Sequence, residues 1–205
     1  LYAAMLESIR GARRAVRMES YIFADDEIGR AFAAALAERA LAGVEVRLHL
    51  DAAGALGVGS ASVEQHLRER GGAVKWFHRW SWHRPLRYNR RNHRKLLVVD
   101  DHLAYVGGYN IHRQSSQRFY GDARWRDTHA SISGALVLDA VKLFDAQPYG
   151  QVPAPHPMPL LGSFRRGTQA HLLDHPLLRP RSADAAAPDE CRAPRRRRSA
   201  AGAVA

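Results

Sequence analysis

The chain has 205 residues, enough for one ordinary α/β domain with its own core, and its single cysteine, Cys191, excludes an internal disulfide framework and a multi-cysteine zinc site. A net charge of +11 points to an anionic partner, a phospholipid headgroup, a membrane surface or nucleic acid, while the absence of an apolar run of about 18 residues excludes a bilayer-spanning helix in this sequence. Only three of the 31 basic residues are lysines; arginine forks onto phosphate, though a GC-rich gene would enrich it too.

The first 14 residues, from Leu1 rather than a methionine, carry Leu1, Met5, Leu6 and Ile9 on one side of an amphipathic helix. Either the initiator was mistranslated or upstream sequence is missing. Ala15 to Phe23 forms a strand; Asp25, Asp26 and Glu27 open a helix that stops at Gly43. VEVRLHLD, residues 44–51, alternates as a strand. SVEQHLRERGG is a short helix and AVKWF a third strand. Residues 78–92 form a basic, aromatic loop. Residues 94–99 and 103–108 give two strands around a turn at Asp101-His102, DTHASISG another strand, and ALVLDAVKLFDAQ a closing helix. Alternating strands and helices predict an α/β domain over residues 1–147, an αβα sandwich with a mixed sheet flanked by helices. Nine of the ten prolines lie at or beyond Pro148, with no lysine or isoleucine there, so residues 148–205 are expected to be a mostly disordered Pro/Arg/Ala-rich tail. Such a tail suits acidic lipid or nucleic acid; an out-of-frame translation would have the same composition.

The chemistry concentrates in NHRKLLVVD, residues 92–100. Alternation sends His93, Lys95, Leu97 and Val99 one way and Arg94, Leu96, Val98 and Asp100 the other. An imidazole and an ammonium thus project together from one end of a buried strand. Gatekeeper charges on an edge strand would explain them alone, but not the Gly107-Gly108-Tyr109-Asn110 that follows, nor WRDTH at 125–129. A neutral imidazole suits attack on an anionic phosphodiester; a lysine on its face can neutralise a non-bridging oxygen, Asn110 can donate to the same oxygens, and glycines permit close backbone approach. Asp100 points away from His93, so it is expected to end the strand and pair with a basic group or turn amides.

The H-x-K-x4-D pattern of His93, Lys95 and Asp100, with the following GGYN, resembles the signature of the phospholipase D superfamily. The blocks LYAAMLESIRGARRAVRMESYIFADDEIGRAFAAAL, GVEVRLHLDAAG, RNHRKLLVVDDHLAYVGGYNI and WRDTHASISG resemble, in order, the first half of bacterial cardiolipin synthases. The resemblance implies the phospholipase D-like αβα fold, no metal or cofactor, a phosphohistidine on His93, and transfer of a phosphatidyl group to the alcohol of a glycerolipid. It makes Lys95, Asn110, Gly107 and Gly108 the phosphate-binding groups, Asp100 a brace, Asp127 the carboxylate that orients His93, and Glu19 a candidate site-lining group. It implies an anionic, phosphatidylglycerol-type substrate and peripheral attachment to the cytoplasmic side of the inner membrane. A second H-x-K-x4-D is absent, since His112, His129, His156, His171 and His175 have no lysine two residues on. The chain is then a truncated or frame-shifted half, or a homodimer that pairs two copies of His93. Single-motif relatives include nucleases and phospholipases, which keeps nucleic acid open as a partner. Arginines of RWSWHRPLRYNRRNHR would meet phosphate, and Trp80, Trp82 and Tyr88 would stack on bases or sit at a lipid interface. A non-catalytic anion-binding remnant is a third reading. His78 and His83 have no third ligand to complete a metal site.

Overall fold

The computed structural model describes residues 1–55, 57–77, 91–146 and 169–172. Its elements run α1 (Tyr2–Gly11), β1 (Ala15–Ser20), α2 (Glu27–Leu41), β2 (Glu45–Asp51), α3 (Ser60–Arg68), β3 (Ala73–Phe77), β4 (Leu96–Val99), β5 (Leu103–Gly107), α4 (Gln117–Tyr120), β6 (His129–Ser133), α5 (Leu136–Asp145) and β7 (Gln169–Leu172). One seven-stranded sheet has the order β3-β2-β1-β4-β5-β6-β7, parallel from β1 to β3 and antiparallel from β1 through β4 to β7. The predicted αβα sandwich with a mixed sheet is the fold of the chain.

Of the five α-helices among the described residues, α2 has a side-chain N-cap. Asp26 caps α2 with its Oδ1, which accepts the amides of Ile28 and Gly29 at 3.0 Å each. The two faces of the sheet are unequal. Val16, Met18, Leu48, Leu97 and Val99 join Ile9, Phe32, Leu36 and Leu67 in the larger core, under α1, α2 and α3. Leu96, Val98 and Ala104 pack under Val137 and Phe144 of α5 in the smaller one. β4 is buried on both sides, which is why its four residues are all aliphatic.

Three expectations need adjusting. β1 ends at Ser20 rather than Phe23, because the chain leaves the sheet there and Phe23 pairs instead with Ile111 in an isolated bridge outside the strands. The turn between β4 and β5 centres on Asp100-Asp101, one residue earlier than expected. Both have positive φ, 52° and 61°, which aspartate tolerates better than bulkier residues. And β7 lies within the segment expected to be an irregular tail. It pairs antiparallel with β6, Ala130 opposite Leu172 through Ser133 opposite Gln169, where β6 offers an open edge. The expected disorder elsewhere in the tail, and the basic aromatic loop with His78, His83, Trp80, Trp82 and Tyr88, lie outside the described residues.

Candidate active site

Three adjacent strands build the site at one end of the sheet. Lys95 immediately precedes β4, and its carbonyl accepts the amide of Gly107 on β5 at 3.3 Å. Gly107 pairs in turn with His129 on β6. Lys95 and His129 therefore face the same way, two strands apart, with no side chain between them. Asp127, two residues before His129, lies beside Gly108. A Cβ at Gly108 would fall 1.9 Å from the Asp127 carboxylate, and one at Gly107 would fall 2.7 Å from Nδ1 of His129. The glycine pair thus makes room for a carboxylate and an imidazole, a reason for GGYN that the sequence reading did not reach.

His93 and Lys95 touch. The lysine Nζ lies 2.9 Å from Nδ1 of His93 and donates to the His93 carbonyl at 2.8 Å. Lys95 is only 4 % exposed, whereas the imidazole is exposed at the mouth. The Tyr21 ring packs on His93 with centroids 4.6 Å apart and lies 5.4 Å from Nζ. A cavity of about 560 Å³ opens beside them. Its walls include His93, Asn110, Ser115, Trp125, Arg126 and Asp127.

The electrostatics fit nucleophilic work. Burial and the Lys95 charge hold the His93 imidazole below its ordinary value, against the opposing pull of Asp51 and Asp127, so it is neutral at neutral pH. Burial lowers Lys95 to about 8 despite Asp127, leaving it cationic at pH 7 but near its limit. His129 is 1 % exposed, and both its ring nitrogens lack a hydrogen-bond partner among the described residues. Burial pushes it down to about 4, so it stays neutral beside Asp127.

The other candidates separate by position. Asp127 gives one oxygen, Oδ1, to the amide of Thr128 at 2.6 Å. Asn110 lines the cavity while its Oδ1 accepts the amide of Ile22 at 3.0 Å, which turns its NH₂ away from that amide. Asp100 is at the far end of β4. It accepts the backbone amides of Arg13, Arg14 and Ala15 at 2.8, 2.7 and 2.9 Å, tying the hairpin to the start of β1. The length of β4 separates it from His93, and the amides it accepts are of the kind the sequence reading expected for it. Glu19, the candidate site-lining group, is not among the walls of the cavity beside His93. It is buried on the α5 side of the sheet, opposite Leu96, where Arg94 grips it at 2.8 and 3.0 Å and His49 meets it at 3.1 Å. The pairing of Arg94 with Glu19 fixes the residue between His93 and Lys95.

Sequence reasoning missed Asp51, Tyr21 and His129. Asp51, at the end of β2, accepts the amides of Ala53 at 2.9 Å and Asn92 at 2.8 Å, pinning the approach to His93. Only the i, i+2 spacing of Asp127 and His129 signalled the last. Among the described residues, no group of three His, Cys, Asp or Glu side chains is placed to hold a metal ion, and no helix is long and apolar enough to cross a membrane.

Residues 5–125 match the family described as cardiolipin synthase, PLD-like domain. The cardiolipin synthase of Clostridium perfringens (strain 13) is 36% identical over 140 residues, covering 68% of this chain and 29% of that protein. The chain thus spans less than a third of the curated relatives it matches. Among solved structures, Nuc of Salmonella typhimurium, a phospholipase D family member, has a TM-score of 0.53 at 20% identity over 70% of this chain and 84% of that one. A phosphatidylserine synthase of Haemophilus influenzae has a TM-score of 0.54 at 16% identity over 70% of this chain and 33% of that one. Both share the fold.

Proposed function

The chain belongs to the family of cardiolipin synthase, PLD-like domains, and within it we propose that the cavity beside His93 is one catalytic half of a phosphatidyltransferase that works through a phosphohistidine. The observation that carries this reading is the exposed, neutral imidazole held at hydrogen-bond distance from a buried ammonium, with a carboxylate seated beside them on Gly108.

In the resting site Nζ of Lys95 holds Nδ1 of His93. An arriving phosphodiester offers an anionic oxygen, a better partner for an ammonium than a neutral ring nitrogen. Lys95 then swings to phosphate, and the ring changes tautomer through solvent: Nε2 gives its proton to water, Nδ1 takes one and donates it to Oδ2 of Asp127, which leaves the lone pair on Nε2. That nitrogen attacks phosphorus, the P–O bond to the leaving alcohol breaks, and the alcohol oxygen takes a proton. Lys95 and the NH₂ of Asn110 stabilise the equatorial oxygens, each such donor contributing about 3 kcal/mol at the transition state. An incoming hydroxyl, of phosphatidylglycerol or glycerol, resolves the phosphohistidine; water in its place gives hydrolysis. The acid that serves the leaving alcohol comes from a second half or a second copy of the chain, since the H-x-K motif occurs once here. The chain works peripherally at the cytoplasmic side of the inner membrane, on an anionic phospholipid.

The test is to trap the intermediate. The chain is mixed with radiolabelled phosphatidylglycerol in mixed micelles, alone and together with a chain carrying a second H-x-K half, quenched in alkali and mapped. Label on His93 that His93→Ala abolishes is the expected result. Turnover with unlabelled protein and an intact rate in His93→Ala would overturn the reading.

A further inference from the structure

The segment between β5 and β6 carries a surface that the chemistry above does not use. We propose that the exposed face around α4 is the membrane-docking rim of this domain, seating on an anionic phospholipid surface so that the His93 cavity opens onto the headgroup layer. The proposal rests on the phosphatidyltransferase reading for what enters the cavity, but its surface is defined independently.

Three large aromatics crowd into seven residues: Phe119 is 42 % exposed, Tyr120 38 % and Trp125 63 %. A soluble surface gains nothing from exposing them together. Tyrosine and tryptophan favour a boundary with an apolar and a polar side. Arginines accompany them. The guanidinium of Arg118 lies 5.7 Å from the Phe119 ring, and no carboxylate pairs with it among the described residues. Arg113 is exposed; its amide donates to Asp26 at 2.6 Å, and its guanidinium makes a long contact with Glu27, 3.8 Å. Arg126 pairs with Asp122 at 2.9 Å, the single acid between residues 113 and 126. Aromatic rings at the acyl boundary with arginines among the phosphates match the chemistry of an anionic bilayer surface.

Position decides the occupant. Trp125 and Arg126 belong both to this face and to the cavity wall, and the indole packs edge-on against the buried His112, ring centroids 5.4 Å apart, which fixes it at the mouth. A diester that stays anchored in a bilayer reaches His93 only if the mouth meets the membrane. Single-stranded nucleic acid is the competing occupant of an arginine and aromatic surface; unlike a lipid diester, it is not held at a bilayer and so does not require these aromatics to sit at the cavity mouth. The basic loop of residues 78–90 offers a second such surface by composition, but lies outside the described residues.

The experiment is co-sedimentation of the full chain with vesicles of phosphatidylcholine, with and without one third phosphatidylglycerol, at low and high salt. The unmodified chain should favour the phosphatidylglycerol vesicles. Phe119→Ser/Tyr120→Ser should lower partition onto them about tenfold, and Arg118→Glu about fivefold with a weaker salt dependence. Neither change touches the cavity wall, so cleavage of the soluble diester bis(p-nitrophenyl) phosphate, measured in parallel, should stay at the unmodified rate. Unchanged vesicle binding in both variants overturns the rim. So does loss of single-stranded oligonucleotide binding with vesicle binding intact. Vesicle binding that falls in the variants, while no label reaches His93, keeps the rim and removes the phosphatidyltransferase.

Discussion

The two ends of β4 carry the two halves of one sequence motif and behave as opposites. At the far end, Asp100 accepts three backbone amides and Asp101 takes the guanidiniums of Arg14 and Arg17. At the near end, among the described residues, the Lys95 ammonium hydrogen-bonds to an imidazole nitrogen and a carbonyl of one residue and faces the Tyr21 ring, Asp127 spends one oxygen on the Thr128 amide, and both nitrogens of His129 go without. The five steps from Lys95 to Asp100 span roughly 17 Å in extended chain. Satisfied polar groups hold a fold; polar groups kept short of partners in a cavity are poised for something that arrives. The motif is contiguous in the chain and divided in space.

Lys95→Met tests the contrast at its strongest. It removes a buried ammonium and keeps the volume, so the melting temperature should hold or rise while turnover of the diester falls about 1,000-fold. A large loss of stability in a thermal melt would mean that the near end braces the fold as the far end does.

Gly108→Ala comes next. The new Cβ would meet the Asp127 carboxylate, which is exposed and able to move, so folding should survive. Displacing the carboxylate by about an ångström should cost about 100-fold in kcat with KM little changed. Asp127→Asn should match that loss; an active Gly108→Ala chain would detach Asp127 from the reaction.

Much of this was legible from residue patterns, and the rest was hidden for identifiable reasons. Alternation in LLVVD put His93 and Lys95 on one face and Asp100 on the other, and local periodicity suffices for that. Glu19 escaped because the sequence of a strand does not say which neighbour crosses it: only the pairing of β1 with β4 brings Arg94 over its carboxylate. β7 escaped because a four-residue strand flanked by proline-rich sequence is defined by the open edge of β6, a tertiary fact. The glycine pair was visible, but its purpose depended on register, which sets Gly107 against His129.

The pH profile separates the ends by sign. Activity needs His93 neutral and Lys95 charged. His93 lies below its ordinary value, so kcat/KM should climb to a plateau before neutrality. Lys95 lies at about 8, so kcat/KM should fall above that pH, about tenfold per unit. The far end titrates in acid instead. Burial opposes ionisation of Asp100, but the amides of Ala15, Arg13 and Arg14 together outweigh it and hold its carboxyl below the usual range. A depressed carboxylate contributes stability that is full above its unfolded value and disappears as pH falls through the folded one. A profile limited only below pH 5 would place no working lysine in the site.

Asp100→Ala is the smallest effect on chemistry and the sharpest on the comparison. Three amides at the junction of α1 and β1 would lose a charged acceptor, and these sit near the surface, where water replaces part of each bond. The cost in a denaturant melt should be about 2 kcal/mol rather than the sum of three charged bonds. Because the amides belong to Arg13, Arg14 and Ala15, the loss should appear as easier amide exchange at the start of β1, with β6 unaffected. The variant should also lose the acid-limb pH dependence of stability that Asp100 supplies, and activity per folded molecule should stay within about twofold. A fall of 100-fold at full stability would carry Asp100 back to the site and join what the strand holds apart.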